Sequence, residues 1–222
     1  MRHFSGITEN IELLMGIQKD QISKLKKIDG NRFFKSKPFK LFGSEEHKYK
    51  LNGCLNESEI AKFEKVNQIE LPADYRSFIK NIGNGGVGPG YGLYKLENWN
   101  LDINIEMNNF LSTNFPYTEK WNSIYAGNTD IEYYTESEEF KNWEIEYFNE
   151  KHIAGSLRIS HYGCAIYYIL IVSGIEKGNV WIDDRASDGG IYPLSTEKKG
   201  RYNFNDWYNE WIYESLKKLK EI

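Results

Sequence analysis

The order of segments along this chain of 222 residues predicts an α+β domain. Three stretches, "GSLRIS", "CAIYYILIVSG" and "GNVWIDD", are rich in Tyr, Ile, Val and Trp and bounded by glycines, as strands are. Helical periodicity comes before and after them instead of alternating with them, which is the α+β pattern. Aromatic residues make up 15% of the chain (16 Tyr, 12 Phe, 6 Trp), enough large apolar surface for a sizeable core.

Between residues 7 and 28, Ile11, Leu14, Met15, Ile17, Ile22 and Leu25 recur at three- and four-residue steps, predicting one or two helices with an apolar face. The basic stretch "RFFKSKPFKLFGSEEHKYKLNG" follows, where Pro38 and Gly43 argue for loop and short extended pieces. Residues 1–50 are expected to form an extension packed on a main domain spanning 51–222. Asn56 is a good N-cap, and Glu59 sits where a capping-box carboxylate reaches back. Ile60, Phe63 and Val66 are expected to share the buried face of that helix. A second helix follows, with Pro72 at its first position, Tyr75, Phe78, Ile79 and Ile82 at helical spacing, and Gly83 as a left-handed stop.

Gly83, Gly85 and Gly88 satisfy G-x-G-x-x-G, the spacing of a dinucleotide-binding loop. In that loop a strand precedes the glycines and a helix follows them. Here a helix ends at Gly83 and "GYGLYKL" then alternates like a strand, so phosphates would meet no helix N-terminus. Gly83, Gly85, Gly86, Gly88, Pro89 and Gly90 are therefore read as a structural turn. Farther on, "EEFKNWEIEYFNE" places Phe140, Trp143 and Tyr147 at helical steps with acids between them. "CAIYYILIV" is apolar throughout, as a central strand covered on both faces would be. "FNDWYNEWIYESLKKLK" closes the chain as a helix with a stripe of Phe204, Trp207, Trp211, Leu216 and Leu219 and a basic last turn.

No apolar run approaches the roughly 18–20 residues of a membrane span, and the first twenty residues lack a signal-peptide core. A cytoplasmic protein is expected, with Cys54 and Cys164 reduced and Cys164 a small buried apolar residue. The net charge of −4 conceals an acidic block: residues 97–150 carry 12 acids against Lys120 and Lys141. Such a block disfavours nucleic acid and suits a basic protein partner. His161 and Cys164 are half of a zinc pattern without its other half. No nucleophile elbow or cysteine-protease signature surrounds His161 and Cys164. "IDDRASDGG" lacks the calcium-loop register, and a turn with Arg185 paired to a neighbouring carboxylate explains it. Neither a cofactor, a metal nor a catalytic constellation is expected.

Several stretches in order, "LFGSEEHKYKLN", "LPADYRSFIKNIGNGGVGPGYGLYKL", "HYGCAIYYILIVSGIEKGNVWIDDRA", "GGIYPL" and "FNDWYNEWIYESL", resemble the SUKH superfamily across residues 41–216. That superfamily includes a fungal regulator of cell-wall synthesis. The resemblance implies a single α+β domain with a mainly antiparallel central sheet flanked by helices, and no enzyme activity. It also implies an immunity protein that binds and neutralises a cognate polymorphic toxin, often a nuclease or nucleic-acid deaminase. The alternative is a regulatory or scaffold module in the manner of the fungal member.

The shared motifs are glycines and aromatics that make the fold, so the toxin-binding surface has to be sought in charge. A toxin that holds a phosphate backbone has a basic cleft. Asp130, Glu132, Glu136, Glu138, Glu139, Glu144 and Glu146 are the expected carboxylates facing it, with Tyr133, Tyr134 and Trp143 as aromatic anchors. The competing reading is that these aromatics pack inward and the acids solvate a helix. Neither nucleic acid nor a membrane is expected as a partner.

Overall fold

The computed structural model of the chain describes residues 16–30, 38–101, 103–127 and 137–220. Its fold is α+β, built on a four-stranded antiparallel sheet in the order β1-β2-β3-β4. The strands are β1 (Ser156–Gly163), β2 (Ile166–Ile171), β3 (Val180–Asp184) and β4 (Gly190–Pro193). A two-stranded ribbon, β5 (Ser195–Thr196) with β6 (Gly200–Arg201), follows. Helix α1 covers residues 16–25 and runs into a π-helical turn, Lys26–Gly30. Then come α2 (Ser44–His47), α3 (Glu57–Asn67), α4 (Ala73–Asn81), α5 (Glu138–Tyr147) and α6 (Phe204–Lys220).

The apolar run read as a central strand is β2, which pairs with β1 on one side and β3 on the other; Ile169, Leu170 and Ile171 are fully buried. Both sheet edges are covered by irregular chain. On the β1 side, Tyr91 and Tyr94 donate their N–H groups to the carbonyls of His161 and Ile159, each at 2.9 Å. On the β4 side, Trp121 and Ile191 exchange two backbone bonds of 2.8 Å. Neither edge is left as a template for another strand.

Helix α3 starts with the capping box that Asn56 and Glu59 announce. Helix α4 packs on α6 through Phe78, whose ring centroid lies 5.1 Å from Phe204 and 4.8 Å from Tyr208. Asp74 of α4 accepts the Asn205 N–H at 3.1 Å, satisfying one of the donors that the start of α6 leaves unpaired. Burial holds the Asp74 carboxyl above the usual carboxylate range. In the first fifty residues, Ile22, Leu25, Leu41 and Tyr49 are buried in the same core as the sheet. Asp29, fully buried, ties this segment down: its carboxylate accepts from the Lys40 N–H at 3.0 Å and the Tyr49 hydroxyl at 2.7 Å.

Several expectations are corrected. Ile17 is 43% exposed, because the buried face of α1 is narrower than the apolar pattern, whose first part falls outside the described residues. Val66 is 70% exposed, since α3 buries only the Ile60 side. Pro72 caps α4 from outside instead of occupying its first turn. Gly83 is not left-handed; it is small because a Cβ there would lie 2.9 Å from the Asn52 carbonyl oxygen. "GYGLYKL" forms isolated bridges, Gly86 with Leu93 and Leu93 with Ser160, not a continuous strand. Cys164 is exposed: with Ala165 it is the two-residue hairpin turn of β1 and β2, at φ of 49° and 56°.

The turn between α4 and β1 needs glycine where it passes other backbone. Gly86 (φ 104°) and Gly90 (φ 61°) would place a Cβ 2.3 Å from the Lys50 oxygen and 2.2 Å from the His161 oxygen. Gly90→Ala is expected to destabilise the protein by more than the roughly 1–2 kcal/mol that left-handed backbone alone costs, read by urea unfolding. A second expectation concerns pH. His47 is buried beneath Trp211, its Nδ1 accepts the Tyr49 N–H at 3.0 Å, and burial lowers its pKa from 6.5 to about 4. Between those values the unfolded chain takes up a proton that the folded one refuses. Stability is therefore lost as pH falls from 6.5 to 4, by about 3 kcal/mol in total from this residue. His47→Asn, which retains an acceptor near Nδ1, should flatten that part of the stability–pH curve.

Candidate partner-binding surface

Two aromatic systems divide the molecule, one turned in and the other turned out. The inward one belongs to α5. Ser137 caps that helix, its hydroxyl accepting the Phe140 N–H. Trp143 and Tyr147, four residues apart, stack at 4.9 Å between ring centroids and 14° between planes. The column continues through Trp121, 5.6 Å from Tyr147, to His152, 4.0 Å from Trp121. The Trp143 indole N–H donates to the Ser123 hydroxyl at 3.1 Å, and the Tyr147 hydroxyl donates to the Asn122 side chain at 2.7 Å. Burial lowers the pKa of His152, so the imidazole inside the column is held toward its neutral form.

Trp143 is thus a structural residue whose ring spends its faces on Tyr147 and neighbouring side chains, not an exposed anchor. Glu138, Glu139 and Glu144 lie exposed on the outer side of α5. Glu146 is engaged by Lys151 and by His152, at 3.5 Å from the latter, and the hydrogen bond from Lys151 holds its carboxyl below the usual range. Asp130, Glu132, Tyr133, Tyr134 and Glu136 lie outside the described residues.

The outward system was not legible as a site in the sequence. Phe42, Tyr91 and Tyr162 are 50%, 37% and 47% exposed, yet they touch: Phe42 lies 5.1 Å from Tyr91 and 5.0 Å from Tyr162. They come from three separate places, the loop before α2, the glycine-bearing turn, and the end of β1. From there the surface descends into a groove of about 430 Å³ between Phe42 and Tyr162 on one side and α6 on the other. Pro89 and Gly90 form part of one wall, Trp207 and Trp211 of the other. Tyr168 bridges the two, with its ring 4.9 Å from Trp207 and 6.2 Å from Tyr162. Burial pushes the Tyr168 phenol up to about 12, so it stays neutral. The turn read as purely structural therefore also shapes the groove.

A larger pocket, about 570 Å³, lies near Arg158, Asp183 and Arg185. Its charged side chains are committed to partners within the molecule. Arg185 holds both oxygens of Asp183, at 2.7 and 2.9 Å, and donates to the carbonyls of Tyr147 and Asn149. Arg158 stacks 3.8 Å over the Tyr167 ring and donates to the Leu101 carbonyl at 3.1 Å. Arg185 thereby locks the end of β3 to the end of α5. Among the described residues no group of three or more His, Cys, Asp or Glu side chains is arranged to hold a metal ion, and no helix is long and apolar enough to cross a membrane. The His161 ring stacks on Tyr167 at 5.0 Å, and its carbonyl takes the Tyr91 N–H.

No protein-family model, curated protein or solved structure matches the chain. The aromatic trio and groove rest on their geometry, which has a direct consequence. Phe42→Ser with Tyr162→Ser should change unfolding free energy by within about 1 kcal/mol, because half-exposed rings contribute little to the core. Trp143→Ala should cost more than about 2 kcal/mol by opening the stacked column. Urea titrations of the two variants separate the outward system from the inward one.

Proposed function

We propose that this protein is a non-catalytic cytoplasmic immunity protein, which binds and neutralises a cognate bacterial toxin through direct, stoichiometric contact. The carrying observation is the Phe42–Tyr91–Tyr162 trio, in which the Phe42 ring touches both tyrosines and all three are left partly exposed beside a groove. Large aromatic side chains presented on rigid supports are the residues that dominate protein–protein binding energy. Here the supports are backbone bonds, among them the Tyr91 N–H to the His161 carbonyl at 2.9 Å. Little conformational freedom remains to be lost on binding, which favours affinity. The resemblance to the SUKH superfamily implies the toxin class, a nuclease or nucleic-acid deaminase, and a toxin that holds a phosphate backbone has a basic cleft.

In this reading the two surfaces share the work differently than charge alone suggests. The exposed carboxylates of α5 contribute long-range attraction to a basic partner, raising the association rate more than the final affinity. The aromatic trio holds the complex once formed. The test is co-purification from native lysate at moderate salt, with mass spectrometry of what stays bound, followed by assay of the partner's activity. The expected result is one tight companion bearing a basic nuclease-like or deaminase-like domain, inhibited at one-to-one stoichiometry. Phe42→Ala with Tyr162→Ala should weaken binding by roughly 30-fold or more, equivalent to about 2 kcal/mol. Glu138→Lys, Glu139→Lys and Glu144→Lys together should mainly slow association and flatten its salt dependence. Several weak, unrelated companions would instead indicate a regulatory module.

A further inference from the structure

Helix α6 carries a row of acids on the side that borders the groove: Asp206, Glu210 and Glu214, each four residues from the next and so on one face. The first of these is already in use. Lys199 places its ammonium 2.9 Å from Asp206 and 5.0 Å from the centroid of the Tyr202 ring, which also lines the groove. That lysine, itself exposed, is held by a carboxylate and an aromatic face together, two groups that each attract a cation. One turn along, Glu210 faces the same kind of surroundings, with Trp207, Trp211 and Tyr162 around the groove. Glu210 is exposed and makes no ion pair among the described residues. Glu214 is held only loosely, 3.9 Å from Lys217.

We propose that the groove between α6 and the Phe42–Tyr162 pair receives an arginine or lysine side chain of the protein partner, ion-paired to Glu210 and laid against the aromatic walls. This deepens the binding reading above and rests on it for the identity of the occupant. Charge complementarity selects a cation over an acidic or purely apolar segment: among the described residues lining the groove, Glu210 and Glu214 outnumber Lys218. The intramolecular Lys199 site is the local precedent, with Asp206 and Tyr202 in the roles of Glu210 and the groove's rings. Arginine suits the site better than lysine, because its planar head both stacks on a ring and forms paired hydrogen bonds with a carboxylate.

The test uses the full chain and three short peptides, acetyl-Leu-Arg-Leu-amide, its citrulline counterpart and its glutamate counterpart, followed by quenching of Trp207 and Trp211 fluorescence. The arginine peptide should bind saturably, and the citrulline peptide, nearly the same shape without the charge, should bind at least about fivefold more weakly. Glu210→Gln should weaken the arginine peptide by a similar factor, and Tyr162→Leu, which keeps apolar contact and removes the ring face, should do so independently. Glu70→Gln, at an exposed acid outside the groove lining, should leave it unchanged. Equal binding of arginine and citrulline peptides, no effect of Glu210→Gln, or no saturable binding of the arginine peptide would each overturn the proposal. The two readings fail separately. Capture of a protein partner that needs Phe42 and Tyr162 but ignores Glu210→Gln sinks the cation site and leaves the protein-binding reading standing. Saturable, Glu210-dependent arginine binding with no protein retained does the reverse.

Discussion

Much of this fold depends on how closely the backbone of residues 83–93 approaches its neighbours. Within that turn the Val87 N–H donates to the Lys50 carbonyl at 2.8 Å, and Gly86 and Leu93 exchange bonds of 2.9 and 2.6 Å. The Ser160 hydroxyl reaches the Pro89 carbonyl at 2.7 Å, and the Tyr208 hydroxyl reaches the Val87 carbonyl at 2.8 Å. One irregular segment thus joins the first fifty residues, the edge of the sheet and the closing helix. Backbone groups buried this deep must find partners, and only residues without a Cβ allow the chains near enough to supply them. The glycines are spent on contact with protein, which leaves no open cradle for a phosphate.

The same constraint produces the exposed aromatic trio. Tyr91 follows Gly90, and its position is set by the bond to the His161 carbonyl. Tyr162 is the next residue of β1 after His161, close to the hairpin turn at Cys164 and Ala165. Phe42 is delivered from the other side by the strap that buried Asp29 holds through the N–H of Lys40 and Leu41. Three unrelated local structures converge there, each fixed by backbone hydrogen bonds. The aromatic column of α5 solves the opposite problem. Its polar handles, the Trp143 N–H and the Tyr147 hydroxyl, find partners inside the molecule, so its rings can be covered. Aromatic composition is therefore shared between cohesion at one end and an accessible face at the other.

Electrostatics follow a similar division. The buried charges, Asp183 with Arg185 and Asp29 with its N–H donors, are matched at close range and position elements of the fold. Glu138, Glu139 and Glu144 of α5 and Glu210 and Glu214 of α6 are exposed, and their effect is on what approaches the molecule. The acidic block that dominates the charge pattern and the groove that offers shape and rings lie on different helices. Net charge indicated a basic partner without indicating where that partner would be gripped.

What the sequence determined by itself was local and periodic. The α+β class, the three glycine-bounded strands, the capping box at Asn56 and Glu59, and the full extent of α6 all follow from spacing and propensity. The glycine run was legible as a turn because a helix precedes it and none follows. Tertiary structure alone decided the faces and the site. Val66 fits a helical stripe yet meets no neighbour, Cys164 sits beside an apolar strand yet occupies a positive-φ turn, and Trp143 looks like an anchor yet stacks inside a column. Phe42, Tyr91 and Tyr162 are scattered over 120 residues. No periodicity links them, because their contact is made by three loops and strand ends whose approach is set by long-range backbone bonds, which one-dimensional spacing does not encode.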